Sequence, residues 1–314
     1  MGPVADAVAR AGGSVARVFA RADLPLRLID YPDRLIPLRD QLALIEHATR
    51  EIGDETMPVW LSSGAGVAWL GPYGRRLQSA ATLGEAIDLA NRLIVAGLQS
   101  ATDMRLRIEG RRAYWTYRVT DRIAFGRQRN ELLAFGYIQD LIRAFAGRSW
   151  RADHLTVPGP LAARRAVEQA LGGEVAQGDV AGIVLPVDLL QLPNPSRGDP
   201  ATWDALPARG DFVGQVAAMV RMSLLSDKRA RLDWVARRFG VSRRVLQREL
   251  AGAGSDFLTI RNAVACEEAC AMLARGARVT DVAGELGYAD TAHFTRAFRA
   301  WTGEPPTAWR RRPS

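Results

Sequence analysis

Two stretches decide the fold: LDWVARRFGVSRRVLQREL at Leu232–Leu250 and VTDVAGELGYADTAHFTRAF at Val279–Phe298. Laid over each other, Val235 falls on Val282, Ala236 on Ala283, Phe239 on Leu286 and Gly240 on Gly287. After a one-residue insertion, Leu246 falls on Phe294, Arg248 on Arg296 and Leu250 on Phe298. Each copy reads as a short helix, a glycine able to take the left-handed conformation, and a second helix with its own cap. Ser242 caps the first copy and Asp290 the second. Helix, glycine turn, helix is the helix-turn-helix pattern, and two copies with matched caps are far more specific than one.

The second helix of each copy carries the chemistry. Leu246 and Leu250 are four apart and turn inward, which leaves Arg243, Arg244, Gln247 and Arg248 on the opposite face. Phe294 and Phe298 do the same in the second copy, leaving Thr291, His293, Thr295, Arg296 and Arg299 outward. Guanidinium, amide and hydroxyl groups are the side chains that reach base edges and phosphates. A merely solvated charged face has no reason to recur on both copies. These nine, together with Ser242, are the candidate DNA-binding residues. Between the copies, Phe257–Ala274 reads as one helix with Ile260, Val264, Ala269 and Leu273 on one face. At 1.5 Å per residue it spans about 27 Å. That length suits two reading helices held in successive major-groove turns, about 34 Å apart.

Charge agrees with an anionic partner. The chain has 42 Lys+Arg against 34 Asp+Glu, a net charge of +8 over 314 residues, and every basic residue but Lys228 is arginine. From Asp204 onward there are 18 basic and 12 acidic residues, so +6 of the charge lies in the last 111 residues. That asymmetry is the electrostatic footprint of a polyanion-binding region, although solubility alone would also use a basic surface.

The C-terminal region resembles the tandem helix-turn-helix domain of AraC/XylS-type transcription regulators. In VSRRVLQREL, Ser242, Arg244, Leu246, Arg248 and Leu250 fit that family's first motif. In LGYADTAHFTRAFRAWTGEPPTAWR, Gly287, Tyr288, Phe294, Arg296, Phe298, Gly303, Pro306, Trp309 and Arg310 fit its second. Three positions depart from the pattern. Ala292 stands where the family usually has serine, Ala265 where the linker helix usually has arginine, and Pro305 where a Ser or Thr usually precedes Pro306. The first two-thirds is similar to the arabinose-binding-like sensor domain of one branch of the same family. That likeness rests on Asp33–Leu38, Gly71–Gly74, the TLGEA box at Thr82–Ala86 and the W-x-x-D-x-L-x-V-x-x-P run at Trp150–Pro160.

The rest of the N-terminal region has a mixed pattern. Leu38, Leu42, Ile45, Ala48 and Ile52 recur at helical spacing, and Thr82 with Glu85 forms a capping box that opens a second helix. The period then drops to two. Met104, Leu106 and Ile108, a turn at Gly110, and Ala113, Trp115, Tyr117 and Val119 predict a hairpin with one apolar face. A long helix follows with Leu133, Ile138, Leu141, Ile142 and Phe145 inward, and short strands are expected at His154–Val157 and Ile183–Val187. The fold expected is therefore an α+β N-terminal sensor domain plus an all-α C-terminal domain with two helix-turn-helix motifs joined by a linker helix. The boundaries expected are 1–190 for effector sensing and dimerisation, 191–210 for a Pro/Gly-rich linker, and 211–314 for DNA binding.

No enzyme is visible. The three histidines, His47, His154 and His293, stand in unrelated settings, and no H-E-x-x-H, C-x-x-C, P-loop or G-x-S-x-G arrangement occurs. The glycine-rich Gly64–Gly71 lacks both dinucleotide spacing and a Walker lysine, and reads as a structural turn. Cys266 and Cys270, four apart on one helix face, read as small packing residues, with a dithiol switch as the alternative. Trp60, Trp69, Tyr73, Trp115 and Tyr117 are aromatic enough to wall a ligand pocket, or simply to fill a core. No cofactor and no metal are expected, and effector contacts cannot be assigned. No apolar run reaches the roughly 18 residues of a membrane span, and arginines interrupt the N-terminal stretch, so a cytoplasmic protein with no membrane partner is expected. The resemblance implies double-stranded DNA and a small-molecule effector as partners, RNA polymerase if the chain is an activator, and room for a homodimer. The expected function is an effector-responsive activator, with a repressor or a non-specific nucleoid-type DNA binder as alternatives.

Overall fold

The hairpin predicted from alternation is the edge of a mixed five-stranded sheet. Strands β1 (Thr102–Glu109) and β2 (Arg112–Val119) pair antiparallel, Thr102 against Val119 and Glu109 against Arg112. The two residues between them turn through Gly110 at φ 58°, the left-handed value this position of a tight hairpin demands. With β3 (His154–Pro158), β4 (Glu174–Gly178) and β5 (Ala181–Pro186), the sheet order is β1-β2-β5-β3-β4. Only β3 and β4 run parallel. A parallel neighbour needs a crossover, and the short helix α8 (Arg164–Leu171) supplies it.

The computed structural model describes residues 2–30, 36–63, 66–99, 101–120, 123–195, 212–225, 231–239 and 241–310. Two compact units result: Met1–Asp33 with Pro37–Gly210, and Arg34–Ile36 with Asp211–Ser314. In the first unit, helices α1 (Gly2–Arg10), α2 (Val15–Arg21), α3 (Leu38–Ile52), α4 (Met57–Ser62), α5 (Gly71–Gln78) and α6 (Leu83–Gly97) precede the sheet. The long α7 (Arg127–Ala146) lies between β2 and β3 in the chain. Trp115, Leu155 and Ile183 from the strands meet Leu83 and Ile87 of α6 and Phe135 and Ile142 of α7 in one core. The alternation of β2 explains the arrangement: Ala113, Trp115, Tyr117 and Val119 are buried while Tyr114 and Thr116 lie on the wetter face.

Local chemistry sets the helix starts. The Thr82 hydroxyl accepts from the Glu85 backbone N–H at 3.2 Å, and Glu85 Oε2 accepts from the Ala81 N–H at 2.7 Å. This is the expected capping box with its return bond one residue further out. Gly66 and Gly71 of the glycine-rich run take positive φ around a 3-10 turn at Val67–Leu70, in keeping with a structural turn.

Two details differ from the sequence expectation. Ile108 is 54% exposed, because the hairpin tip runs past the helices that cover Met104. Residues 191–195 of the expected linker are docked rather than free. Asn194 donates through Nδ2 to the carbonyls of Gln78 (2.6 Å) and Ala80 (2.9 Å), and Pro193 bridges Thr82. The remainder of that linker lies outside the described residues, as do Gly64 and Asp33–Leu35.

Glycines allow several close approaches in this unit, and one of them joins α3 to α7. Gly126 sits at φ 74° at the start of α7, and a Cβ there would stand 2.2 Å from the Leu42 carbonyl oxygen of α3. Gly126→Ala is expected to cost about 2–4 kcal/mol through strain and loss of the α3–α7 contact. A urea titration followed by circular dichroism checks it; an unchanged midpoint would mean the helices are not held by that approach.

Candidate nucleic-acid interface

In the second unit, α9 (Phe212–Leu225), α10 (Leu232–Arg238), α11 (Arg243–Gly252), α12 (Phe257–Ala274), α13 (Val279–Glu285), α14 (Thr291–Thr302) and α15 (Pro306–Trp309) follow in order. The internal repeat is physical down to the backbone. Val241 donates to the Ala236 carbonyl at 3.0 Å, and Tyr288 to the Ala283 carbonyl at 2.9 Å, closing the two turns alike. Ser242 Oγ accepts from the Val245 N–H and Asp290 Oδ1 from the His293 N–H, so both reading helices carry the expected caps. Gly287 takes φ 75°; Gly240 lies outside the described residues.

Each copy builds its own core. Val235, Ala236, Leu246 and Leu250 pack with Val216 and Val220 of α9 and with Ile260 and Val264 of α12. Val282, Ala283, Phe294 and Phe298 pack with Ala269 and Leu273, further along the same α12. The first core is aliphatic at its centre, with Phe212, Trp234, Phe239 and Phe257 packed around it. The second is an aromatic stack in which Phe298 meets Phe294 (5.7 Å), Trp301 (6.4 Å) and Trp309 (6.1 Å). α12 is capped by Asp256, whose Oδ1 accepts from the Leu258 and Thr259 N–H groups at 2.8 and 3.0 Å. Those bonds, the Thr259 N–H first, hold its carboxyl below the usual range. α9 is tied to α12 by Arg221, which reaches Glu268 at 2.8 Å and also pairs with Glu267. Sequence reasoning had missed α9, whose apolar positions follow directly on the Pro/Gly-rich stretch.

The ten candidate residues lie on α11 and α14 or at the cap of α11. Ser242, Arg243, Arg244, Gln247 and Arg248 are all exposed at α11, and His293, Arg296 and Arg299 at α14. Thr291 and Thr295 are half-buried, and the Thr295 hydroxyl donates to the Thr291 carbonyl at 2.8 Å. Ser242 spends an oxygen lone pair on its cap. Arg248 touches Glu249 at 3.2 Å, whereas Arg243, Arg244, Arg296 and Arg299 form no salt bridge among the described residues. Their guanidinium donors face solvent. Ala292 is exposed and offers no polar atom, Ala265 is buried, and Pro305 caps α15 with no side-chain hydrogen bond.

A helix-turn-helix family model agrees with this geometry. The family described as the arabinose-binding domain of AraC transcription regulator, N-term, matches residues 12–194, and a helix-turn-helix domain family matches residues 235–312. The chain belongs to the AraC-type transcription regulators. It is similar to the ornithine utilization regulator of Pseudomonas aeruginosa, with 27% identity over 98% of this chain and 94% of that protein. It also matches the crystal structure of the transcriptional regulator CdpR from Pseudomonas aeruginosa, at 22% identity and a TM-score of 0.41, over 94% of this chain and 97% of that one. This AraC-type chain is thus a DNA-binding transcription regulator and not an enzyme. Among the described residues no helix is long and apolar enough to cross a membrane.

The aromatic side chains of the sensor-like unit do not share one wall. Tyr73, Trp115 and Tyr117 are buried, while Trp60 and Trp69 are 39% and 63% exposed. The paired thiols are half-buried on α12. Burial first, and then the neighbouring Cys266, push the Cys270 thiol up to about 11 from 9.0. Two units of pKa mean about a hundredfold less thiolate at pH 8. Native Cys270 is therefore expected to alkylate with iodoacetamide about a hundredfold more slowly than after unfolding, with labelling still rising above pH 10. Rapid labelling at pH 8 would reinstate a reactive thiol pair.

Proposed function

We propose that this regulator is an effector-responsive activator that reads two successive major-groove segments with α11 and α14. The observation that carries the proposal is the pair of capped helices, each fixed by its own core on one half of α12, each with polar and arginine side chains turned to solvent. Arg243, Arg244, Gln247 and Arg248, with Ser242, are assigned to one segment. Thr291, His293, Thr295, Arg296 and Arg299 are assigned to the other. Residues 211–314 act as the DNA-binding part, 1–190 as the part that senses a small molecule and supports a homodimer, and 191–210 as their connection. RNA polymerase is the further partner of an activator, and the cytoplasm is where these partners are met.

Phosphate contacts from the arginines supply salt-sensitive affinity, and base contacts supply sequence preference. Arg244→Ala or Arg248→Ala is expected to weaken binding to a selected operator by about 1–3 kcal/mol where the arginine reads a base. Equal loss on random DNA would reduce it to a phosphate contact. Sequencing the DNA retained by the full chain, then measuring retardation of that site against random duplex, tests the whole reading. A regulator gives a ratio of about 10³ or more, and a ratio near one would make the chain a nucleoid-type binder. Transcription from the retained promoter in vitro separates activation from repression. Light scattering with and without small-molecule extracts tests the dimer, and an unchanged monomer mass removes it.

A further inference from the structure

Polar side chains from five segments converge inside the N-terminal unit, where a hydrophobic core would otherwise close. Asn130 and Glu131, each 1% exposed, lie near the start of α7 just before the apolar run Leu132–Leu133. Asn130 Nδ2 donates to the Tyr117 hydroxyl of β2, and that hydroxyl donates to Gln99 Oε1 beyond α6. Gln41 Nε2 of α3 donates to Asn130 Oδ1. All three bonds are 2.8 Å long. Thr102, buried at the start of β1, hydrogen-bonds the same phenol.

Glu131 is the member whose needs are not met. Its Oε1 accepts from Arg127 Nε at 3.0 Å, but its Oε2 is buried with no hydrogen-bond partner among the described residues. A carboxylate oxygen withdrawn from water with nothing donating to it is a standing cost to the fold. Burial raises the Glu131 carboxyl above its ordinary range against the pull of Arg127, and Glu131 lies near enough to help push the Tyr117 phenol up. Among the described residues, the half-exposed Arg127 is the cation that pairs with it, through the other oxygen.

We propose that this cluster is a binding site for a small molecule bearing a primary ammonium group, which donates to Glu131 Oε2. The Gln41–Asn130–Tyr117–Gln99 chain offers both donors and acceptors to hold a second polar group of the same molecule. An ammonium is selected over a hydroxyl because it satisfies the free oxygen and also adds to the compensation that the half-exposed Arg127 gives the buried anion. An anionic molecule is excluded by repulsion from the same carboxylate. The assignment rests on the effector-responsive reading and gives its effector a chemical class.

Calorimetric titration and thermal unfolding of the full chain test it, with 1,4-diaminobutane and L-lysine as amine probes and 1,4-butanediol, L-arabinose and succinate beside them. At least one amine is expected to titrate saturably and raise Tm, and the uncharged and anionic probes to do neither. Glu131→Gln keeps the acceptor for Arg127 and removes the charge. It is expected to weaken amine binding at least tenfold while leaving the unliganded Tm unchanged or higher. Tyr117→Phe, which keeps the ring in the core, is expected to weaken the same amine with the fold intact. No titration by either amine overturns the site, and so does amine binding that survives Glu131→Gln. A Glu131→Gln protein that melts earlier without any probe would make the carboxylate a structural group. Operator retardation by the same preparations separates the two readings. An amine that binds but changes neither retardation nor transcription leaves the site and removes the effector role, whereas intact retardation without amine binding leaves the regulator and removes the site.

Discussion

Everything in the DNA-binding unit depends on one helix serving two cores. α10 and α13 are seven residues each, and α11 and α14 are ten and twelve. Pieces this short cannot enclose enough apolar surface to hold themselves together. Ile260 and Val264 complete the first core, and Ala269 and Leu273 the second. The step from 264 to 269 is five residues, not four, so the buried stripe moves about 140° around the helix between the two cores. The sequence reading had put these four residues on one face. The offset is what allows two separate partners to pack along a single rod, and Ala265, buried at the crossover, keeps that side of the rod narrow.

The direction of the arginines follows from this arrangement rather than from charge. Once Leu246 and Leu250, or Phe294 and Phe298, are drawn against α12, residues one or two positions away turn off that face toward solvent. A net charge of +6 spread at random would not do this. The same total placed opposite two buried stripes gives two arginine-bearing ridges. In the N-terminal unit the logic is reversed: Asn130 and Glu131 sit on the buried side of α7, with Leu132 next in the chain also buried. Polar groups there must find partners in the interior, and Asn130 does, whereas Glu131 Oε2 and Gln139 Nε2 have none among the described residues.

Legibility from sequence followed the strength of the periodic signal. β1, β2, α6, α7, α12 and both helix-turn-helix copies have long or repeated patterns, and each is present in the structure, α12 with the limits its pattern gives. α1 and α2 were not anticipated, because each is short and Gly2–Arg21 is mostly alanine, valine and arginine, with few bulky apolar residues to mark a face. β4 was missed because a five-residue edge strand reading EVAQG has neither alternation nor bulk; it exists because β3 offers it a parallel partner. The polar cluster was invisible for a different reason. Gln41, Gln99, Tyr117 and Asn130 are far apart in the chain, and only the folding of α3, β2 and α7 together brings them within hydrogen-bond reach. The one local hint was Asn130–Glu131 directly before Leu132 and Leu133 on an otherwise apolar helix face.

The two reading helices are equivalent in frame but unequal in equipment. α11 presents Arg243, Arg244, Gln247 and Arg248, three guanidinium groups and an amide, all exposed. α14 presents Arg296, Arg299 and His293, but Thr295 already donates its hydroxyl proton to the backbone and Ala292 has nothing to offer. Bidentate recognition of guanine or adenine edges needs two convergent groups on one side chain, which arginine and glutamine supply and threonine does not. On the proposed reading, α11 therefore carries the greater share of base discrimination, and α14 contributes relatively more through phosphate contacts. The cores differ in kind rather than in strength: Phe294 and Phe298 hold α14 through an aromatic stack, whereas Leu246 and Leu250 hold α11 in the larger cluster shared with α9 and α12.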